Sequence, residues 1–454
     1  MKVLNWNKDR KFYNKMLNLA APIVIQNLIQ SSLSFVDTLI IGGLGVTAIA
    51  SVGLGNQYLF IIQVLLTGVT GGAAVFTAQL WGKKDIDNIN RVTLLSLIIG
   101  ILLALILSLA SFFNSSWIMS IYTKDIAVIN CGASYLRFSS LSYVLLAITV
   151  TYSSVLRTMG RVKLPTIISV IALSINTVLG YILVYGMFGV HKFGAAGAGL
   201  STLIARLTEM AAMLIIVGKE YKEVLVKIKL ITTINLTLVK KFFSLTIPVV
   251  ITELLWSVGI SAYAIAYSSI STDAIASKNI MNTIEGLTWV VFLGIGNACA
   301  VIIGNDIGAG NERDALEHSR KFTEISVGLS VAAMVIIIIL AKPIVSLFNV
   351  PQAVSQFAVK NLYVMAAFMW IRVLNFILLS GLLRSGGDTK YSMAADMISV
   401  WFVGVPLAFA AAKLWHLPVY FVYAFASVEE IAKLVLALPR VYSKKWIKNV
   451  TEAI

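Results

Sequence analysis

The chain has 454 residues, of which 58% are hydrophobic and 13% charged, and its mean hydropathy is +0.88. Soluble domains carry roughly 25% charged residues, so this composition excludes an ordinary soluble protein and predicts an integral membrane protein. The formal net charge of +15 would indicate a nucleic-acid partner in a soluble protein, but in a membrane protein basic residues first indicate orientation.

Twelve apolar stretches are long enough to be transmembrane helices, each of which needs about 20 mostly apolar residues. Helices satisfy their own backbone hydrogen bonds in lipid, so the predicted fold class is an all-α integral membrane protein. The predicted spans are 17–43, 50–76, 92–113, 132–156, 164–186, 195–217, 242–270, 274–303, 322–344, 357–382, 391–412 and 417–438.

The basic residues divide unequally between the two sides of these spans. Of the 36, 26 lie at the termini and in the loops that follow even-numbered spans, whereas 6 lie in or beside the other loops. Because basic residues favour the cytoplasmic side, we predict a multi-pass protein of a bacterial cytoplasmic membrane with both termini in the cytoplasm. Because membrane orientation accounts for the basic residues, we expect membrane lipids and no nucleic acid as partners.

The two halves of the sequence resemble each other. A shift of 226 residues pairs Pro22 with Pro248 and Asn56 with Asn282, and a shift of 227 later pairs Gly160 with Gly387. Each half holds six spans, so the copies enter the membrane from the same side, as in the parallel repeats of secondary transporters. We predict an N-terminal lobe over 1–217, a cytoplasmic linker over 218–241, and a C-terminal lobe with a basic tail over 242–454.

Cysteine and histidine are too few and too scattered for a metal or catalytic centre. Cys131 and Cys299 stand alone in or beside apolar segments, and the three histidines lie near different helix ends. The sequence also contains no phosphate-binding loop of the G-x-x-x-x-G-K-[ST] type. We therefore predict that the protein is not an enzyme and holds no cofactor or resident metal.

Polar side chains recur inside the predicted spans, where they are costly unless they face a cavity or a partner. In span 1 they form one helical stripe, and spans 7, 8 and 10 carry further acidic, aromatic and basic residues. The candidate cavity residues are Asn27, Gln30, Ser34, Glu253, Trp256, Glu285, Trp289, Arg372 and Asn375. Hydrogen bonding between helices is the alternative for each amide or hydroxyl.

Acidic residues in spans divide into those with and those without a basic neighbour on the same helix. Asp37 and Glu253 have none within two turns, so we predict functional roles for both. Arg206 and Glu209, and likewise Glu429 and Lys433, are three and four residues apart, so we predict structural ion pairs. The roles of Asp396 and Glu430 stay open.

One proline interrupts the first helix of each lobe. Pro22 and Pro248 each remove a backbone hydrogen bond within an otherwise apolar helix. Each is either a static kink or a bend that changes during transport, and the sequence does not choose between them.

Several short motifs, in order along nearly the whole chain, resemble one family of transporters. These are Ala20-Ala21-Pro22, Val36-Asp37-Thr38, Gly43-Leu44-Gly45, Ala78-Gln79-Leu80-Trp81-Gly82, Leu156-Arg157-Thr158-Met159-Gly160 and Leu383-Arg384-Ser385-Gly386-Gly387-Asp388-Thr389. Together with the two six-helix lobes, they resemble the multidrug and toxic compound extrusion (MATE) transporters.

The resemblance implies a monomer that exports amphipathic organic cations in exchange for sodium ions or protons. It also implies a coupling-cation site at Asp37, Asn176 and Thr202, but Gly180 stands where the family has a further aspartate. Losing a carboxylate weakens a sodium site more than a proton site, so the sequence favours protons, with sodium at Asp37 as the alternative. Glu253 lies about a turn from the position of a second acidic residue of the family.

The resulting hypothesis is a secondary antiporter that alternates between inward-open and outward-open states. A lipid or lipid-linked-sugar flippase of a related fold is the nearest alternative, and it would need a polar or basic groove open to lipid. An ion channel would instead need a continuous pore. The acidic and aromatic residues of the spans favour organic cations over a flippase substrate, and the channel stays an alternative.

Overall fold

The computed structural model describes residues 6–452, except for the side chains of residues 6–9, 33–35, 228 and 233. The described chain is helical throughout. The helices of the first half are α1 (Trp6–Gly42), α2 (Val46–Lys83), α3 (Ile86–Phe113), α4 (Ser115–Tyr122), α5 (Ile126–Ser140), α6 (Tyr143–Thr158), α7 (Lys163–Tyr185) and α8 (Ala195–Glu220). Those of the second half are α9 (Leu236–Ser268), α10 (Thr272–Gly308), α11 (Glu312–Ser346), α12 (Gln352–Phe376), α13 (Thr389–Ile398), α14 (Val405–Phe409) and α15 (Val419–Tyr442).

Among the described residues, ten helical segments are long and apolar enough to cross a membrane. In two of them, helices continue as π-helical turns: α12 runs on to Leu383, and α13 continues through α14 to Leu414. Helices α5 and α6 meet at a bend of 49° and together form an eleventh segment. Helix α15 holds Glu429, Glu430 and Lys433 within its apolar stretch and corresponds to the twelfth predicted span. The predicted all-α membrane fold is confirmed.

Contacts divide the chain into two compact units. One comprises Ile25–Thr246, and the other comprises the described residues up to Val24 together with those from Ile247 onward. Pro22 in α1 and Pro248 in α9 each lie within three residues of a division between the units. The lobes predicted at 1–217 and 242–454 follow the sequence repeat, and they stay a prediction.

The unit over Ile25–Thr246 is held by apolar contacts among α2, α3 and α6. Ile62, Leu66, Ala104 and Tyr143 are almost completely buried in one cluster. Helices α7 and α8 approach closely where Gly197 faces Leu183, since a Cβ there would lie 2.8 Å from the Leu183 carbonyl oxygen. These contacts fix the position of α7, the helix that carries Asn176 and Thr177.

In the other unit, the end of the chain folds back on the segment between α12 and α13. Trp446 is fully buried, and the Lys448 amide donates to the Gly386 carbonyl at 2.9 Å. Asp388, 3% exposed, accepts hydrogen bonds from Arg440 Nε at 2.6 Å and Lys448 Nζ at 2.5 Å. The basic tail is therefore anchored by one indole ring and one buried carboxylate.

Replacing Trp446 with alanine is expected to lower the free energy of unfolding by about 3–5 kcal/mol, because it empties a fully buried aromatic site. The loss is measured by thermal unfolding in detergent, with faster proteolysis of the tail as a second readout. Tyr442→Ala is the control, since Tyr442 is 79% exposed and its loss should change little. Equal stability of the two variants would contradict the anchoring role.

Candidate coupling site

Asp37 on α1 lies against α7, which supplies both of its hydrogen bonds. Asn176 Nδ2 donates to Asp37 Oδ2 at 3.1 Å, and Thr177 Oγ1 donates to Oδ1 at 3.2 Å. Both donors are neutral, so they orient the carboxylate without cancelling its charge. The predicted pairing of Asp37 with Asn176 is present, and Thr177 is an additional neighbour.

Asp37 differs from the other described carboxylates within the apolar spans in having no basic partner. Each of the others has a lysine or arginine nitrogen within 4.0 Å: Glu209, Glu253, Glu285, Glu324, Asp396, Glu429 and Glu430. Asp37 is half-buried, and a carboxylate that is partly removed from water without a countercharge is costly. Binding of a proton or another cation removes that cost, which is the chemistry that a coupling site requires.

The Asn176 side chain also offers an acceptor to such a cation. Its Oδ1 is buried and has no hydrogen-bond donor among the residues that the structure describes. The Thr202 hydroxyl donates to the Ala198 carbonyl of its own helix at 2.9 Å, and its place in the site stays a prediction. At Gly180, an added Cβ would lie 3.4 Å from Ser201 Oγ, so the residue faces α8 without supplying a ligand.

Thr177 could not be singled out from the sequence. It follows Asn176 directly, and no charge or spacing marks it among the many threonines of the spans. Residues 176 and 177 both reach Asp37 because the carboxylate has two oxygens, each facing one donor. The family-based set of Asp37, Asn176 and Thr202 therefore has two members in contact, with Thr177 on the carboxylate in place of Thr202.

Replacing Thr177 with valine keeps the side-chain shape and removes one hydrogen bond to Asp37. Such a bond to a charged group is worth about 1.5–3 kcal/mol, so we expect gradient-driven transport to fall by roughly 10-fold or more. Thr202→Val is the matched control and should stay within about twofold of the unchanged protein, since its lost bond is local. The reverse order of effects would place the site on α8. Initial rates of dye efflux from proteoliposomes provide the measurement.

A pocket of about 560 Å³ adjoins this site within the same unit. Thr177 lines it and also contacts Asp37, so the pocket and the carboxylate are neighbours. Its walls come from α1, α7 and the turn after α7, and they include the aromatic rings of Tyr181, Tyr185 and Phe188. Aromatic faces beside a carboxylate suit the apolar and cationic parts of an organic cation.

In the other unit, Glu285 of α10 and Arg372 of α12 form a direct ion pair. The Arg372 guanidinium also lies 5.1 Å from the Trp289 ring centroid, and that ring packs on Phe376 at 5.3 Å. The structure thus brings together three predicted cavity residues from two helices. Arg372 has no acidic partner on its own helix; its partner, Glu285, lies 87 residues earlier in the chain.

Glu253 also acquires a basic partner from a distant part of the chain. Arg384 Nη1 lies 2.7 Å from Glu253 Oε1, and both side chains are about one-fifth exposed. The absence of a base on its own helix therefore does not leave Glu253 uncompensated. This pairing separates Glu253 from Asp37, which the sequence placed in the same class.

The remaining cavity candidates have varied surroundings. Gln30 is exposed and Trp256 is 40% exposed, whereas Asn375 is buried and donates to the Glu430 side chain at 2.8 Å. Asn27 is half-buried, and its carbonyl accepts from Ser31 at 3.0 Å. The Ser34 side chain lies outside the described residues.

The two predicted ion pairs along single helices are confirmed. Arg206 Nη1 contacts Glu209 Oε2 at 2.6 Å, and Lys433 Nζ contacts Glu429 Oε1 at 3.3 Å. The Glu209 pair also accepts a hydrogen bond from Ser169 at 2.8 Å. Lys433 also contacts Asp396 and Glu430.

Comparison with protein families places the chain. The family model described as MatE matches residues 22–182 and 248–410, one match in each half of the chain. The chain belongs to the MatE family. It is therefore a MATE family transporter and not an enzyme, as the sequence motifs predicted.

Relatives and solved structures agree with this placement along nearly the whole chain. A probable multidrug resistance protein NorM of Thermotoga maritima is 23% identical over 96% of this chain and 93% of its own length. Another protein of that name from Photorhabdus laumondii is 26% identical over 90% and 89%. The crystal structure of the Vibrio cholerae MATE transporter VcmN, at 16% identity, has a TM-score of 0.88 and covers 97% of this chain and 99% of its own. The structural likeness confirms the fold.

Proposed function

We propose that the chain exports amphipathic organic cations across the cytoplasmic membrane in exchange for protons, by alternating access. The observation that carries the proposal is Asp37, a carboxylate inside a span that has two neutral donors and no basic partner among the described residues. A proton and an organic cation both neutralise this charge. Because they compete for one carboxylate, binding of one favours release of the other.

The pocket beside Thr177 supports the substrate class. Its apolar and aromatic lining suits an amphipathic body, and the adjoining carboxylate suits a positive charge. The relatives named as probable multidrug resistance proteins support the same class. A flippase is not favoured, since the carboxylate beside this pocket has the wrong sign for a phosphate-bearing lipid.

The proposal takes the proton as the coupling ion, with sodium as the alternative. Asp37 is the carboxylate of the site, and Gly180 supplies no second one. Sodium prefers several oxygen ligands, whereas a proton needs one carboxylate oxygen. We further propose a monomer with both termini in the cytoplasm, without a bound cofactor, whose partners are membrane lipids and small organic cations.

Proteoliposomes that contain the purified chain and a fluorescent organic cation provide the test. A proton gradient and a sodium gradient are imposed separately, and each is then collapsed with the appropriate ionophore. We expect dye movement under the proton gradient alone. Dye movement under the sodium gradient alone would show that sodium is the coupling ion. Dye movement that is independent of both gradients would overturn the proposal of antiport.

A further inference from the structure

A second group of ionisable side chains lies in the spans of the other unit, around Lys433 of α15. The Lys433 ammonium contacts Asp396 at 3.1 Å, Glu429 at 3.3 Å and Glu430 at 3.5 Å. The four side chains are between 8% and 17% exposed. We call these four residues the Lys433 cluster. Three carboxylates share one lysine here, so the cluster has more acid than base.

The surrounding helices do not restore the balance. Arg372 Nε lies 4.0 Å from Glu430, but its guanidinium is paired directly with Glu285. Lys278 of α10 lies 3.6 Å from the Tyr423 ring centroid and has no carboxylate within 4.0 Å in the described part of the chain. Counting these neighbours, four carboxylates face three cationic side chains. One negative charge stays uncompensated, which is costly in a buried group unless a proton is bound.

Neutral polar groups complete the Lys433 cluster on two sides. Tyr263 of α9 donates its hydroxyl to Glu429 Oε2, and Asn375 of α12 donates to Glu430 Oε2 at 2.8 Å. Asn375 is 2% exposed, yet its Oδ1 has no donor among the described residues. Asn176 shows the same arrangement at Asp37: one amide nitrogen on a carboxylate and a buried, unpartnered amide oxygen. Each unit therefore has, beside a carboxylate, a buried amide oxygen that can accept a hydrogen bond from a protonated group.

The sequence repeat relates these two places. A shift of 226 residues takes Asp37 to Tyr263, and a shift of 227 takes Thr202 to Glu429. The second shift also takes Thr177 to Gly404, where an added Cβ would meet Tyr263 and lie 2.6 Å from Glu429 Oε2. The acidic residue has thus moved from the first helix of the repeat to its sixth, and Gly404 leaves room for the contact between them.

We propose that the Glu429–Glu430 pair holds one exchangeable proton and forms a second proton-binding site, at the place that the repeat relates to the Asp37 site. One carboxylate takes up the proton and becomes a neutral acid, while the other keeps its contact with Lys433. The two carboxylates exchange this proton as a coupled pair, together with Asp396. A proton fits better than a metal cation, because Lys433 and Arg372 already bring positive charge to the site.

This inference deepens the proposed function, and its coupling role rests on it. With a site in each unit, a transport cycle carries more protons than Asp37 alone provides. The binding of the second proton is a property of the chain itself, and it is measurable without transport.

Difference titration of the purified full chain in detergent tests the inference. Protons bound are counted between about pH 5 and pH 9 for the unchanged chain and for the double variant Glu429→Gln, Glu430→Gln. We expect the double variant to bind about one proton fewer per chain over this range. Glu324→Gln is the control: Glu324 is 46% exposed and pairs with Arg320 on the surface, away from the Lys433 cluster, so we expect this variant to bind as many protons as the unchanged chain. Unchanged proton counts in the double variant would overturn the inference.

Tyr263→Phe covers the case in which the double variant does not fold. It removes the hydroxyl on Glu429 and leaves every charge in place, so we expect the same number of protons with a displaced midpoint. An unmoved titration curve would overturn the site at Glu429. The titration is repeated in sodium chloride and in choline chloride, and we expect the same number of bound protons in both salts. Loss of the proton in sodium chloride would show that the site binds a metal cation instead.

The two proposals fail in different measurements. Asp37→Asn should lower transport by roughly 100-fold and leave the proton of the Glu429–Glu430 pair in place. If Asp37→Asn transports normally while this proton is present, only the proposed function fails. If Asp37→Asn is inactive and the double variant has the unchanged proton count, only the second site fails.

Discussion

Asp37→Asn is expected to lower proton-driven dye efflux by roughly 100-fold, within the upper range of known coupling free energies. Asparagine keeps the size of the side chain and removes its ability to carry a proton. Competition between proton and organic cation then ends, because neither has a charge to neutralise. Initial efflux rates from proteoliposomes under an imposed proton gradient provide the measurement.

The control for this prediction is Asp273→Asn, which makes the same chemical change on an exposed carboxylate in the first turn of α10. It should transport at close to the unchanged rate. Equal yield and equal thermal unfolding of both variants show that the loss is one of coupling. Full transport by Asp37→Asn, with folding intact, would remove Asp37 from the mechanism.

The spans were predictable because apolar length alone specifies a membrane helix. The predicted stretch 132–156 nevertheless consists of two helices, α5 and α6, which meet at a bend of 49° near Leu141. Three serines, Ser139, Ser140 and Ser142, flank Leu141 at that bend, but the stretch as a whole is apolar enough to be predicted as one span. Hydrogen bonds of Ser139, Ser140 and Ser142 to nearby carbonyl oxygens accompany the bend, and they depend on packing.

The site was predictable only in part, because ion pairs between helices have no local pattern. Arg206 and Glu209 are three residues apart, so their pair is visible in the sequence. Glu253 and Arg384 are 131 residues apart, and only the fold brings them to 2.7 Å. The sequence therefore grouped Glu253 with Asp37, although the structure gives a base to Glu253 and, among the residues it describes, none to Asp37.

Repeat symmetry adds information that neither the motifs nor the spans contain. Arg206 and Lys433 occupy equivalent positions, and so do Ser169 and Asp396. Both units thus place a basic residue at the same point of the sixth span of their repeat. The preceding span contributes a polar contact in each: Ser169 to Glu209, the partner of Arg206, and Asp396 to Lys433. What differs is the number of acids around that base. The first unit has one, and the second has three.

Lys433→Met is expected to destabilise the chain by about 3–5 kcal/mol, since it leaves buried carboxylates without their lysine. Methionine matches the length of the lysine side chain, so lost packing contributes little. Arg320→Met breaks an exposed pair with Glu324 and should change stability little. Thermal unfolding of both variants in detergent gives the comparison.

The pH dependence of the Lys433→Met variant identifies the cause of its instability. Without the ammonium, three carboxylates lie close together with no lysine among them, and a proton bound in the folded state relieves their mutual repulsion. The folded state then binds more protons than the unfolded state, so stability rises as the pH falls. We therefore expect the destabilisation to be larger at pH 8 than at pH 5. A deficit that is equal at both pH values would show that Lys433 contributes packing and that the three acids around it are already neutral.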